Sequence, residues 1–278
     1  MVDRPFVSLL SDFGLRDPSA GIMRAVILGI APQANVVDIS HDVAKFRVRD
    51  GALLLWCAAP YLPVGSHVAV VDPGVGTERR PIAVRVHRGD VLIGPDNGLL
   101  LPAAERLGGI VDARLLASTA HRLPVVSSSF HGRDIFAPAA AHLATGVPFA
   151  ALGPELALDS LVRLTWPAPE VGHGTLAATV LYVDTFGNLK LGAEAGHLHA
   201  ALGELAWGAP LRLSWRSAPK GVVAPWCETF GRVGPGLPLL YEDSYGRLCV
   251  AVNQGDAASL LSLQEDDRVT IRAEDAGG

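Results

Sequence analysis

Four times in its first hundred residues the chain runs a short apolar stretch directly into a polar turn carrying an aspartate. Residues 6–10 (FVSLL) lead into Ser11-Asp12-Phe13-Gly14, with Asp17 shortly after, and residues 35–39 (NVVDI) lead into Ser40-His41-Asp42. Residues 67–71 (HVAVV) lead into Asp72-Pro73-Gly74-Val75-Gly76, and residues 91–93 (VLI) into Gly94-Pro95-Asp96-Asn97-Gly98. Strand ends followed by Gly-rich turns are where α/β proteins build sites, so several acidic loops are expected to gather near the strand ends.

Helical stretches at 19–30, 49–59, 98–107 and 133–145 alternate with these strands, which predicts an α/β domain over residues 1–165 with a central sheet flanked by helices. The run Trp166-Pro167-Ala168-Pro169-Glu170 opens an expected linker over 166–173. Beyond it come short alternating runs at 176–183, 211–215, 248–252 and 269–272, separated by Gly, Pro and Asp turns. Residues 174–278 therefore read as a smaller, mostly-β, barrel-like domain. A chain of 278 residues with 49% hydrophobic content has enough apolar material for both cores.

A net charge of −5 without a long Lys/Arg run argues against a general nucleic-acid surface, while leaving a nucleoside ligand open. The start, Met1-Val2-Asp3-Arg4-Pro5, lacks the basic-then-apolar layout of a signal peptide, and no apolar run has the length of a membrane span. A soluble, cytoplasmic protein without a membrane partner is the expectation. Cys57, Cys227 and Cys249 are scattered and read as reduced, buried, small apolar residues. Of nine histidines only His197 and His199 are close neighbours; their spacing suits one face of a strand, and no metal site is expected there.

Chemistry concentrates in two segments, VVDPGVGTERR and SSSFHGRD. Asp72 supplies an acid, Arg79 a permanent cation and His131 a base whose ordinary pKa of about 6.5 lies nearest working pH. Gly74 and Gly76 allow a ligand or another backbone to approach closely. Each residue has a plainer role open to it. Asp72 can cap its own turn, Arg79 and Arg80 can form a solvated pair or exchange places, and His131 can satisfy a helix N-terminus.

At these residues the chain resembles the S-adenosylmethionine hydroxide adenosyltransferases, relatives of the fluorinase and chlorinase. The matching segments are LLSDFG, ISHDV, VVDPGVGTERR, GPDNGLL, SFHGRDIFAPAAAHLA, VDTFGN and NQGDAA, in order across nearly the whole chain. The resemblance implies hydrolysis of S-adenosyl-L-methionine to adenosine and L-methionine, with no cofactor because that sulfonium is the substrate. It makes Asp72, Arg79 and His131 a water-activating triad. It places Asp12 at the ribose diol, Asp17 and Asp184 at the methionine ammonium, Phe46 near the ribose and Ser244 near the methionine carboxylate. Phe186 and Asn188 would hold adenine by stacking and amide hydrogen bonds, with Ala257 adding backbone groups. It also implies a homotrimer, with ligand between the N-terminal domain of one subunit and the C-terminal domain of its neighbour.

For most of these binding residues an ordinary structural role stays open: an Asx turn for Asp12, a helix start at Asp17-Pro18, and a hairpin with Phe186 in the core for 184–188. Water is a weak nucleophile, so a base and a cation near C5′ are needed. A halide-using enzyme has no need of them, and no obvious long insertion separates GPDNGLL from SSSFHGRD. Hydrolysis is therefore preferred to halogenation, or to a sensor that binds S-adenosylmethionine or adenosine without turnover.

Overall fold

Val7, Ser8, Leu9 and Leu10 are all fully buried, so strand β1 (Phe6–Ser11) is covered on both faces. Leu9 points into the core shared with Met23, Ile27 and Phe136, while Leu10 lies on the opposite side near Gly51. That two-sided burial explains why the sequence reads as an uninterrupted apolar run rather than an alternation. The structure, a computed structural model, describes residues 4–274. Met1 to Asp3, the opening of the segment inspected for a signal peptide, lie outside the described residues.

The chain forms two compact units, residues 1–164 and 165–278. In the first, the order is β1, α1 (Ser19–Ile30), β2 (Asn35–Ser40), α2 (Val48–Ala58), β3 (Ser66–Val70), β4 (Pro81–Val86), β5 (Val91–Pro95), α3 (Leu101–Arg106), β6 (Ile110–Leu115) and α4 (Ala137–Ala144). The sheet runs β2-β1-β3-β5-β4-β6, parallel from β2 to β5 and antiparallel at β4 and β6. Because β1 is followed on one side by β2 and on the other by β3, the strand order reverses there. The carboxyl ends of β1 and β3 border the crevice where open α/β sheets bind ligands.

The helix expected over 133–145 is broken. Gly132–Phe136 form a π-helical turn, with the Ala137 N–H donating to the Gly132 carbonyl, and α4 starts at Ala137. Pro138 has no N–H for the bond that would join the two in one α-helix. Such π turns are frequent at functional sites, and this one begins next to His131.

The second unit carries β7 (Glu170–Gly172), β8 (Thr175–Val183), β9 (Leu189–Leu191), α5 (Ala195–Leu202), β10 (Pro210–Trp215), β11 (Ala218–Pro225), β12 (Pro238–Glu242), β13 (Leu248–Val252), α6 (Ala257–Leu261) and β14 (Arg268–Ala273). All its ladder pairings are antiparallel, in the order β11-β10-β14-β8-β9-β13-β12, with β7 added to β8. Just past β11, the Cys227 N–H donates to the Leu240 carbonyl of β12 at 2.8 Å, so the sheet nearly closes into a barrel. The barrel-like expectation therefore holds.

Two local expectations fail. Residues 170–172, read as linker, pair with β8 through the tight His173-Gly174 turn, where Gly174 has φ +75°. His197 and His199 lie on α5, not on a strand: Glu194 and His197 form a reciprocal capping box, and His199 sets its ring edge against Trp226. A cap followed by an Ala-rich segment starts a helix whatever the spacing of its histidines.

Candidate active site

Beyond β3 the chain passes through Val71 to Asp72 and reverses. The Val75 N–H donates to the Asp72 carbonyl at 3.3 Å, and the Thr77 hydroxyl to the Gly74 carbonyl at 2.7 Å. The reversal brings Arg79 back onto Asp72 as a two-pronged pair: Nε donates to Oδ1 at 3.1 Å and Nη2 donates to Oδ2. Nη2 also donates to His131 Nδ1 at 3.1 Å. Asp72 and Arg79 side chains are only 5% and 7% exposed, and the guanidinium lies 5.5 Å from the Phe136 ring centroid.

The spatial order is thus Asp72–Arg79–His131, with the arginine in the middle. Asp72 therefore orients the Arg79 guanidinium and not the imidazole. Since a guanidinium only donates, His131 Nδ1 accepts, and the neutral ring carries its proton on Nε2. Burial, reinforced by the Arg79 cation, lowers the His131 pKa from the ordinary histidine value against the opposing pull of Asp72 and Asp134. Arg79 Nη1 is buried with no hydrogen-bond partner among the described residues. Arg80 turns away to Asp96 and Ser160, so Arg79 is the arginine that reaches the histidine.

Two glycine-dependent contacts fix this geometry. Gly76 has φ +78°, and a Cβ there would overlap the Ser128 carbonyl oxygen, so the Asp72–Arg79 turn rests directly on the loop preceding His131. A Cβ on Gly132 would press on Met23 Sδ and the Phe13 ring. The loop itself is tied down by Asp134, whose Oδ2 accepts the Ser127 N–H at 2.8 Å.

A cavity of about 300 Å³ opens here, and Asp12, Asp17, Phe46, Asp72 and His131 all line it. Asp12 does not close an Asx turn at Gly14; its Oδ2 accepts the Phe46 N–H at 2.9 Å. That bond helps hold Phe46, a residue 69% exposed, at φ +65°. Asp17 does not cap α1, where Pro18 is the N-cap without a side-chain hydrogen bond. Phe13, Ser19, Lys45 and Phe130 line the same cavity and were not singled out from sequence. Phe13 and Phe130, packed edge to face at 5.6 Å, sit inside the segments SDFG and SFHG, where the chemical signal is carried by the neighbouring polar residues.

The remaining candidates lie on the second unit. Asp184 organises the β8–β9 hairpin turn: Oδ1 accepts the N–H groups of Phe186 and Asn188 at 2.9 and 3.0 Å, and Oδ2 accepts Asn188 Nδ2 at 3.0 Å. Phe186 is 77% exposed rather than core, and with Asn188, Phe230 and Gln254 it lines a cavity of about 320 Å³. Gly187, at φ +80°, lets the turn lie against Asp256, and its carbonyl accepts the Ala258 N–H at 3.0 Å, placing buried Ala257 beside it. Ser244 stands on the β12–β13 turn, outside the lining of both cavities. That turn is held by Asp243, which accepts the Tyr245 and Arg247 N–H groups and pairs with Lys190 Nζ at 2.5 Å.

An α/β unit with acids, a cation and an imidazole gathered at its switch-point crevice, joined to a barrel-like unit, defines a two-unit protein with a built small-molecule cleft. The model of the SAM hydroxide adenosyltransferase N-terminal domain matches residues 7–153, and that of the C-terminal domain matches residues 178–270. The chain belongs to the SAM hydroxide adenosyltransferase family. It is 43% identical to the (R)-S-adenosyl-L-methionine hydrolase of Salinispora tropica over 98% of its own length and 100% of that protein's. A fluorinase of an Actinoplanes species is more distant, at 28% identity over 96% of this chain and 97% of the fluorinase. A crystal structure of an uncharacterized conserved protein from Thermotoga maritima superposes with a TM-score of 0.89 at 34% identity, covering 96% of this chain and 99% of that one.

Proposed function

We infer that this chain hydrolyses S-adenosyl-L-methionine to adenosine and L-methionine by attack of an activated water on ribose C5′. The carrying observation is the Asp72–Arg79–His131 chain beside the cavity, a device for making hydroxide that an already ionised halide does not need. The similarity to hydrolases named for (R)-S-adenosyl-L-methionine, well above that to fluorinases, supports hydrolysis over halogenation.

His131 Nδ1 takes the water proton, and Arg79 Nη2 transfers its hydrogen bond from that nitrogen to the new hydroxide. The hydroxide oxygen bonds to C5′ as the C5′–S bond breaks, and the electron pair on sulfur converts the sulfonium to the neutral thioether of methionine. The lowered His131 pKa then favours release of the proton to solvent. Asp72 keeps the guanidinium in place, and its charge balances Arg79 so that the cationic substrate is not repelled. Asp12 suits the ribose diol, Asp17 the substrate ammonium, and Phe46 the ribose edge.

On the second unit, Phe186 offers a stacking face and Asn188 and Ala257 the amide groups for adenine. Asp184 and Ser244 are assigned to the methionine part. The candidate residues are thus divided between two units, which fits a homotrimer in which the C-terminal unit of one copy serves the N-terminal cavity of the next. No helix among the described residues is long and apolar enough to cross a membrane. A cytoplasmic setting supplies the substrate, which needs no further cofactor.

Incubation of the purified protein with S-adenosyl-L-methionine in halide-free buffer should yield adenosine and methionine in equal amounts. A 5′-halo-5′-deoxyadenosine formed only on adding chloride or fluoride would instead support a halogenase. His131→Ala should abolish turnover while retaining substrate binding; binding without turnover in the unaltered protein would indicate a sensor.

A further inference from the structure

The GPDN segment contributes no side chain to the lining of the cavity described above, yet its two polar residues grip both ends of the Asp72–Arg79 turn. Asn97 Nδ2 donates to the Val71 carbonyl at 2.8 Å, on the residue immediately before Asp72. Asp96 Oδ2 accepts Arg80 Nε at 2.8 Å, on the residue immediately after Arg79, and the Asp96 N–H donates to the Arg80 carbonyl at 2.9 Å. We propose that Asp96 and Asn97 are positioning residues that hold this turn closed, so that Arg79 keeps its simultaneous contacts with Asp72 and His131.

Val71 needs such a partner. The β1–β3 ladder ends at Val70 and the β3–β5 ladder at Val68, so the Val71 carbonyl emerges, fully buried, past the last paired strand residue. An unpaired buried carbonyl costs about 1–3 kcal/mol, and Asn97 answers it from the end of the neighbouring strand β5. The Asn97 amide is itself fixed, because its Oδ1 accepts the Leu99 N–H at 3.2 Å. At the other end Asp96 is nearly fully buried, and its second oxygen accepts the Val162 N–H at 2.9 Å. Arg80 donates from Nη1 to Ser160 Oγ at 3.1 Å and from Nη2 to the Ser160 carbonyl at 2.6 Å. The grip is thus backed by the segment that closes the first unit.

Two adjacent residues at the end of one strand therefore set both ends of a turn that begins on another. Loss of either grip should let Arg79 drift from His131, and a shift of about 1 Å at such a site lowers turnover about a hundredfold. The inference rests on the triad being the water-activating centre. Its first readout is independent of turnover: Arg79 helps depress the His131 pKa, against Asp72 and Asp134, so displacement of Arg79 raises it.

The test compares the full chain with Asn97→Asp, which keeps the acceptor for Leu99 N–H but removes the donor to Val71, and with Asp96→Asn. Ser8→Ala, a buried change in the separate Ser8–His67 hydrogen bond, serves as the destabilised control. The His131 imidazole is titrated by NMR, and kcat and KM for S-adenosyl-L-methionine are corrected for folded fraction. Expected are an upward His131 pKa and a kcat about tenfold to a hundredfold lower, with KM within about threefold, in both variants but not in the control.

A His131 titration and kcat unchanged from the parent in both variants would overturn the proposal, whatever their melting temperatures. If Asn97→Asp does not fold, the near-isosteric Asp96→Asn decides by the same criteria. Should the parent protein fail to hydrolyse the substrate, the functional assignment falls, while the titration still tells whether the grip exists.

Discussion

Arg79 Nη2 reaches His131 Nδ1 across 3.1 Å, so that nitrogen cannot hold a proton while the contact lasts. The imidazole is buried and faces a cation, and both lower its pKa. At any given pH the ring is therefore neutral to a greater extent than an ordinary histidine. Turnover should therefore persist below about pH 6.5 and decline only as pH falls through the lowered His131 value. A profile of kcat from about pH 5 to 9 checks this, and half-maximal activity lying above about pH 7 would contradict it.

Arg79→Lys keeps the charge and loses the geometry. One ammonium cannot make the two-pronged contact with Asp72 and also reach Nδ1 of His131. Turnover should fall about a hundredfold or more, in line with loss of a preorganised donor at a reacting oxygen, while substrate affinity changes little. Near-normal kcat in this variant would show that positive charge alone suffices.

Gly76→Ala should damage stability and chemistry together. The residue needs φ +78°, and an added methyl would overlap the Ser128 carbonyl oxygen, so the turn must lift off the loop before His131. A cost of about 1–3 kcal/mol is expected from backbone strain, read as a lower urea midpoint. The folded fraction should also show reduced kcat; a purely thermal defect with full kcat would mean that the turn and the loop tolerate separation.

The parts legible in the sequence were those set by local physics. The buried parallel strands β1, β3 and β5 and the more exposed edge strand β2 announced themselves as apolar runs, and the two-unit division followed from the change of periodicity near Trp166. Strand β11 (APKGVVAP) went unseen because two prolines, a glycine and a lysine disguise a strand at the end of the ladder order, where such residues are tolerated. β4 and β6 carry charges within short runs and lie at the antiparallel side of the sheet. Asp12, Asp17, Asp72 and His131 stood out in the sequence and Phe46 through the family resemblance, and all five line one cavity; for Asp12, Asp17 and Asp72 the reason is that strand ends at a switch point converge. Which triad member stands in the middle was not legible. That order depends on a tight turn and on a contact between residues 52 positions apart, neither of which leaves a local pattern.

Stability at low pH should depend on a different cluster. Asp90 is fully buried and accepts His67 Nε2 at 2.9 Å, Arg88 Nε at 2.7 Å and Arg88 Nη2 at 2.8 Å, while His67 Nδ1 shares a hydrogen bond with Ser8 Oγ. Burial works to raise the Asp90 pKa, but the hydrogen bonds and charges of His67 and Arg88 overcome it, leaving the carboxyl well below the usual carboxylate range. A carboxylate with a depressed folded pKa stabilises the fold above its unfolded value, about 3.9, and that contribution disappears as pH falls toward the folded value. Asp90→Asn should then cost about 3 kcal/mol at neutral pH by leaving Arg88 and His67 without their anion, and should flatten the loss of stability in acid. Urea midpoints measured from about pH 3 to 7 distinguish the cases: curves for parent and variant that converge in acid support this role, and parallel curves refute it.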